Sequence, residues 1–167
     1  QAVTALVVGV CAEAALANGA ENQLKVAFVY NFAKLVEWPA DALSGGDKLL
    51  LCTYGGDALG GALQALEGKP AGSRKLTLQP VTNPDEAKAC QILFIPESER
   101  ANYGKILPAL GNQAVLTVSD CDSFVPAGGM MGLLRASNKI QLKLNLKATQ
   151  QARLKLSPQL VKLAGIE

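Results

Sequence analysis

Hydrophobic positions recur along this chain with two different periods, and their alternation predicts its architecture. From Gln23 to Trp38 (QLKVAFVYNFAKLVEW), Leu24, Phe28, Phe32, Leu35 and Val36 fall three or four apart, with Val26 and Val29 widening the stripe. Lys25, Asn31, Lys34 and Glu37 lie between them. That period is helical, and Pro39 stops the helix. Past the linker ADALSGGD, the run KLLLCTYGG is continuously apolar and bounded by Gly, as in a strand buried on both faces. Lys75 to Val81 alternates like a less buried strand, Gln91 to Ser98 is a second continuous run, and Ala114 to Asp120 is a fourth strand. Helical pieces separate them: one capped by Asp57 and running through Leu66, a first turn at Pro84 to Ala87, and one over Glu99 to Leu110. Strand and helix alternating at this spacing predict parallel strands with right-handed crossovers. The pattern then changes. Two strand-like runs flank Ala136-Ser137-Asn138, and Ile140, Leu142, Leu144 and Leu146 alternate with Gln141, Lys143, Asn145 and Lys147, which predicts an antiparallel hairpin with one buried face. Ala148 to Leu154 and Pro158 to Ala164 read as helices, the second capped by Ser157. The expected fold is α/β: a single three-layer domain, mostly parallel sheet with a C-terminal antiparallel hairpin and flanking helices.

The first residues follow neither period. QAVTALVVGVCAEAALA carries an uncharged apolar run, Ala2 to Val10, and small residues ending in Ala15-Leu16-Ala17. That is the order of an h-region and an A-x-A cleavage site. Residues 1–17 are therefore expected to be a truncated signal peptide and residues 18–167 the domain. The run is shorter than the ~20 residues a membrane span needs. A buried N-terminal helix of the domain is the other reading; the bulky Val10 argues against a lipid anchor at Cys11.

Charge and composition narrow the chemistry. Sixteen basic and fourteen acidic side chains are scattered over 167 residues, without the clustered basic stripe of a nucleic-acid binder. The histidine count is zero, which removes Ser-His-Asp and Cys-His catalysis and His-ligated zinc. In an oxidising compartment Cys52, Cys90 and Cys121 would leave one pair and one spare, with three pairings open. Cys52 lies inside one strand-like run and Cys90 directly precedes another, so these two meet if the strands are neighbours; buried free thiols are the alternative.

Four other features have chemistry to weigh. Gly55 and Gly56 follow a strand where a phosphate-binding turn would lie, but GGDALG matches neither dinucleotide nor P-loop spacing and reads better as an ordinary turn. Asp120 and Asp122 flank Cys121 at the C-terminal end of the fourth strand, where parallel sheets place ligands. They could act as an acid/base pair or hold a cation, although capping explains them as well; the same acids would blunt Cys121 as a thiol. Gly128 and Gly129 either admit a ligand to the backbone or permit a turn before the hairpin. Gly55, Asp120, Gly128 and Gly129 together form a candidate ligand edge. Trp38 is a candidate partner surface, with core burial as the alternative.

AFVYNFAKLVEWP at Ala27 to Pro39, LCTYG at Leu51 to Gly55, CQILFIPES at Cys90 to Ser98, LTVSD at Leu116 to Asp120, GGMMGL at Gly128 to Leu133 and LNL at Leu144 to Leu146 resemble, in that order, the YfiR family. The likeness runs from about Gln23 to Ile166. It implies a periplasmic, non-enzymatic regulator that binds the periplasmic part of a membrane diguanylate cyclase and represses it, tuned by cysteine redox state and acting as a homodimer. Neither a cofactor nor nucleic acid is implied. The resemblance makes Cys52 and Cys90 the strand-borne cysteines that can pair. Cys121 matches a third position whose expected partner is missing, since Asp122 to Leu134 contain no Cys; Cys121 is thus expected to be a free thiol. A periplasmic small-molecule binder using the Gly55–Asp120–Gly128 edge, and an enzyme using Cys121 or the two Asp residues, are the competing classes.

Overall fold

The computed structural model describes residues 8–43, 46–56 and 58–164, and the side chains of residues 19–43, 46–56 and 58–164. The fold class is as expected. Seven strands form one sheet in the order β3-β4-β2-β5-β6-β7-β8: β2 (Lys48–Tyr54), β3 (Pro70–Ala71), β4 (Arg74–Val81), β5 (Ile92–Phe94), β6 (Leu116–Ser119), β7 (Met131–Ala136) and β8 (Lys139–Leu144). β4, β2, β5, β6 and β7 are parallel, while β3 and β8 run antiparallel to their neighbours. A second, two-stranded sheet pairs β1 (Val36–Glu37) with β9 (Lys155–Leu156).

The continuous apolar runs have the burial their pattern demands. Leu51, Cys52, Ile92, Leu93, Phe94, Ile95, Leu116 and Val118 are fully buried, because these central strands are covered on both sides. On one side α1 (Val8–Leu35) packs Val26, Val29, Phe32 and Ala33 over Leu49, Leu51, Leu76, Ile92, Phe94, Leu116 and Val118. On the other side α2 (Pro84–Ala87) and α3 (Tyr103–Leu110) cover Cys52, Leu93, Ile95 and Val115. α4 (Leu146–Gln151) and α5 (Pro158–Leu163) close the chain. Side-chain caps start three of these short helices. Asn83 accepts from Glu86 N, Asn145 from Ala148 N, and Ser157 from Leu160 N at 3.2 Å.

Four local expectations need correcting. Leu146, expected on the buried face of the hairpin strand, instead opens α4 and is 36% exposed. The helix over Gln23–Trp38 begins earlier and ends sooner, because Val36 and Glu37 leave it to pair with Leu156 and Lys155. Leu24, placed in its apolar stripe, is 51% exposed, whereas Lys25 is buried. The segment Leu59–Leu66 is two 3₁₀ turns rather than a helix, since Gly60 and Gly61 adopt positive φ and break the α-helical ladder. Asp57, the expected cap, lies outside the described residues, as do residues 1–7 of the expected leader. The backbone of residues 8–17 belongs to α1.

Candidate functional site

The expected ligand edge divides into places that do different things. At the carboxyl end of β2, Gly55 has φ +79° and its N–H bonds to Val81 O at 2.9 Å. What approaches its bare Cα is the chain's own Glu99. A Cβ at Gly55 would stand 2.5 Å from Glu99 Oε1, and Asn102 fixes the other carboxylate oxygen at 2.7 Å. β2 and β5 are the neighbours from which the chain departs in opposite directions, the usual ligand crevice of such a sheet. Glu99 sets a carboxylate against Gly55 there, and its charge would repel a phosphate. Burial, reinforced by Glu99 and then Glu86, also pushes the neighbouring Tyr54 phenol above its ordinary value.

At the end of β6 the pleat sends successive residues to opposite faces. Asp120 continues the α1 side, below Leu116 and Val118, and meets Lys25 Nζ at 3.3 Å. Lys25 also bonds Glu21 Oε1 at 2.9 Å, and Glu21 Oε2 lies 3.4 Å from Arg135 on β7. Asp120 Oδ1 is buried and has no hydrogen-bond partner among the described residues. Asp122 turns the other way, to Arg100 at 3.0 Å, and its side chain is largely exposed. The two carboxylates therefore form no acid/base pair. Ser119 and Cys121 face α3. Ser119 Oγ is 2.9 Å from the Tyr103 hydroxyl and accepts from Cys121 N at 3.3 Å, while Tyr103 also donates to Pro96 O at 3.3 Å. Burial, first, holds the Tyr103 phenol neutral far into the alkaline range. Cys121 is a free, buried thiol with Ser123 Oγ at 3.2 Å and Asp122 Oδ1 at 3.9 Å.

Gly128 and Gly129 sit elsewhere. They precede β7, whose Met131 is level with Val118, and Gly128 borders a small cavity with Gln113 and Val115, which lead into β6. That is the opposite end of β6 from Asp120, so the structure does not join these glycines to the Gly55–Asp120 edge. Gly128 has φ +110° and serves the turn before the hairpin. Gly129 is glycine for packing, because a Cβ there would run into the Phe124 ring. Trp38 is corrected as well. It is 8% exposed and its indole N–H donates to Gln91 O at 2.9 Å, so it anchors the core beneath the linker rather than a partner surface.

Cys52 and Cys90 are joined in a disulfide with Cα atoms 6.1 Å apart. The bond reaches from the middle of β2 to the residue pair that enters β5, on the α3 face. Beside it, at the amino ends of the strands, opens a cavity of about 360 Å³ bordered by Lys48, Lys88, Cys90, Gln91, Asp41 and Arg153. Asp41 and Arg153 form an ion pair at 3.0 Å across its mouth, and Arg153 holds the Asp41 carboxyl below its ordinary value. Gln91 is spoken for on both amide atoms, accepting from Leu50 N and donating to Ala42 O. Sequence reading missed this cavity and the Lys25 network. The one available signal was Glu21 and Lys25 spaced four apart, an ordinary helix pair. Among the described residues no group of three or more Cys, Asp or Glu is placed to hold a metal ion, and no helix is long and apolar enough to cross a membrane.

Residues 22–165 match the model of a family described as YfiR/HmsC-like. No curated protein matches the chain. Among solved structures, the fold is similar to the crystal structure of a conserved domain protein from Vibrio cholerae O1 biovar El Tor, with a TM-score of 0.52 at 9% identity. The likeness covers 86% of this chain and 58% of the Vibrio chain, so this chain spans little more than half of that protein. At that identity it speaks for the fold.

Proposed function

The chain belongs to the YfiR/HmsC-like family, whose members are regulators of cyclic di-GMP signalling in the periplasm, and from that premise we propose a specific role for it. The domain of residues 18–167, exported behind a leader at 1–17, binds the periplasmic part of a membrane signalling protein of the diguanylate cyclase kind and represses it, as a homodimer. The observation that carries this reading is the extent of the family match, residues 22–165, which takes in every strand of both sheets. The physical means is differential binding. A docked regulator shifts a receptor's equilibrium only by as much as it prefers one receptor state. A rigid sheet, its two central strands tied by the Cys52–Cys90 bond, offers a preformed surface that costs little ordering on docking.

The test is capture from membranes with a paired output. The tagged, exported chain is cross-linked in cells, retained from solubilised membranes, and its companions are identified; cyclic di-GMP is measured with the gene deleted and overexpressed. A receptor with a periplasmic domain, and nucleotide levels that rise on deletion and fall on overexpression, are expected. Unchanged levels with no membrane receptor retained would overturn the reading.

A further inference from the structure

The two edges of the seven-stranded sheet are treated differently. β4 turns the backbone groups of residues 76, 78 and 80 away from β2, and at none of the three is an N–H left free. Leu76 N–H bonds Lys69 O at 2.9 Å, Leu78 N–H bonds the Glu67 carboxylate at 2.7 Å, and Pro80 has no N–H to offer. The opposite edge, β8, is left open. Asn145 N–H donates to Met130 O at 2.8 Å, and the register pairs Met131 with Leu144. Antiparallel alternation then points Lys139, Gln141 and Lys143 toward β7, and turns the N–H and C=O of Ile140, Leu142 and Leu144 outward. Among the described residues these outward groups have no backbone partner. An edge of this kind is a template for another strand.

The chemistry of the edge selects what fits it. Leu142 is buried toward α1, whereas the side chains of Lys139, Gln141 and Lys143 are exposed on the other face. From Met131 to Lys147 the hairpin and its exit carry Arg135, Lys139, Lys143 and Lys147 and no acidic residue. A second copy pairing antiparallel about Leu142 would set Lys139 of one copy diagonally beside Lys143 of the other, and like charges across strands repel. An acidic strand meets attraction at the same positions.

We propose that the β8 edge is the docking site for an extended, acid-bearing segment of a protein partner, which adds as an eighth strand by backbone hydrogen bonds at Ile140, Leu142 and Leu144 and is selected by Lys139 and Lys143. The proposal deepens the regulator reading by naming its surface, and it stands on the edge itself.

The probe is a blocked seven-residue peptide of alternating Val and Glu, compared with its Val/Lys counterpart, on the oxidised full chain. Amide exchange is followed by NMR together with peptide anisotropy. In the free chain the amides of Ile140, Leu142 and Leu144 exchange freely; saturating Val/Glu peptide slows them by about tenfold or more. The Lys139→Glu/Lys143→Glu variant binds that peptide about tenfold less tightly and binds the Val/Lys peptide instead. Amides already protected at every concentration would mean the chain covers its own edge. Protection that appears with concentration alongside dimer mass would assign the edge to a second copy. Either result overturns the proposal, as does Val/Glu binding that leaves these amides unprotected or is indifferent to charge reversal. The two readings fail separately. Peptide binding without any captured membrane receptor removes the regulator and keeps the edge, while equal capture of the receptor by the charge-reversed variant removes the edge and keeps the regulator.

Discussion

Tyr103 is a residue whose polar end is committed inside the core. Its hydroxyl lies between Ser119 Oγ and Pro96 O, and its ring meets Phe124 edge-on with centroids 5.0 Å apart. Tyr103→Phe keeps the ring and removes these bonds, so it is expected to cost about 1 kcal/mol at neutral pH, read as a shift of the urea midpoint. The sign of the pH dependence follows from the raised phenol. Below the ordinary tyrosine value of 10.0 both folded and unfolded chains hold the proton. Above it the unfolded chain releases the proton first, so stability is full below pH 10 and declines as pH rises further. Tyr103→Phe should flatten that alkaline decline, and a slope equal to the parent's would assign the loss to other groups. Glycines give a second contrast. Gly129→Ala drives a methyl into the Phe124 ring and should destabilise by about 1–3 kcal/mol. Gly104→Ala, in α3 with nothing within 4 Å, should stabilise by about 0.5–1 kcal/mol. Thermal melts of the two variants decide the pair.

Elements were legible where their period was long enough to count. The runs at β2, β4, β5 and β6 all became strands, as did Ile140, Leu142 and Leu144 of the alternating set, while Leu146 opens α4 instead; the hairpin turned at Ser137, which takes φ +56°. Two-residue strands carry no period, so β1, β3 and β9 left no trace in the pattern. Leu59–Leu66 has helical spacing but consecutive glycines, and backbone freedom decided there. The candidate site was less readable, for a geometric reason. Sequence places Asp120 at a strand end but leaves open which helix lies beneath it, so the buried Lys25 looked like one more polar position on α1. That contact now ties α1 to β6. Lys25→Met would leave Asp120, about four-fifths buried, without its cation, and Glu21 with Arg135 alone. Removing one partner of a fully buried pair costs roughly 3–5 kcal/mol, and the residual exposure reduces this to about 2–3 kcal/mol. Adding Asp120→Asn should recover part of the loss in a double-mutant cycle. The disulfide ties the strands themselves. Closing a loop with a sequence separation of 38 stabilises by about 4 kcal/mol on the chain-entropy account. The Cys52→Ala/Cys90→Ala variant should lose that amount against the oxidised parent and little against the reduced one.

For the whole molecule, the boundary of the folded unit follows from where α1 begins to bind the rest. The family match starts at residue 22, the first buried core side chain among the described residues is Val26, and Glu21 reaches both Lys25 and Arg135 on the hairpin. Export trimming after Ala17 would keep all of these, whereas a cut after Leu24 would remove Glu21 and leave Lys25 with Asp120 alone. A chain beginning at Asn18 should therefore unfold within about 0.5 kcal/mol of the full chain, the range of surface changes. A chain beginning at Lys25 should be destabilised by about 1–2 kcal/mol, through the lost ion pairs and the first turns of α1. Urea titrations of the three lengths, all oxidised, measure this directly. Equal losses for the two truncations would place the stabilising contacts before residue 18 and make that segment part of the domain. The mass of the protein recovered from the periplasm then reports the same boundary independently: a chain lacking residues 1–17 is the expected product, and an intact one would assign the apolar run to a structural helix.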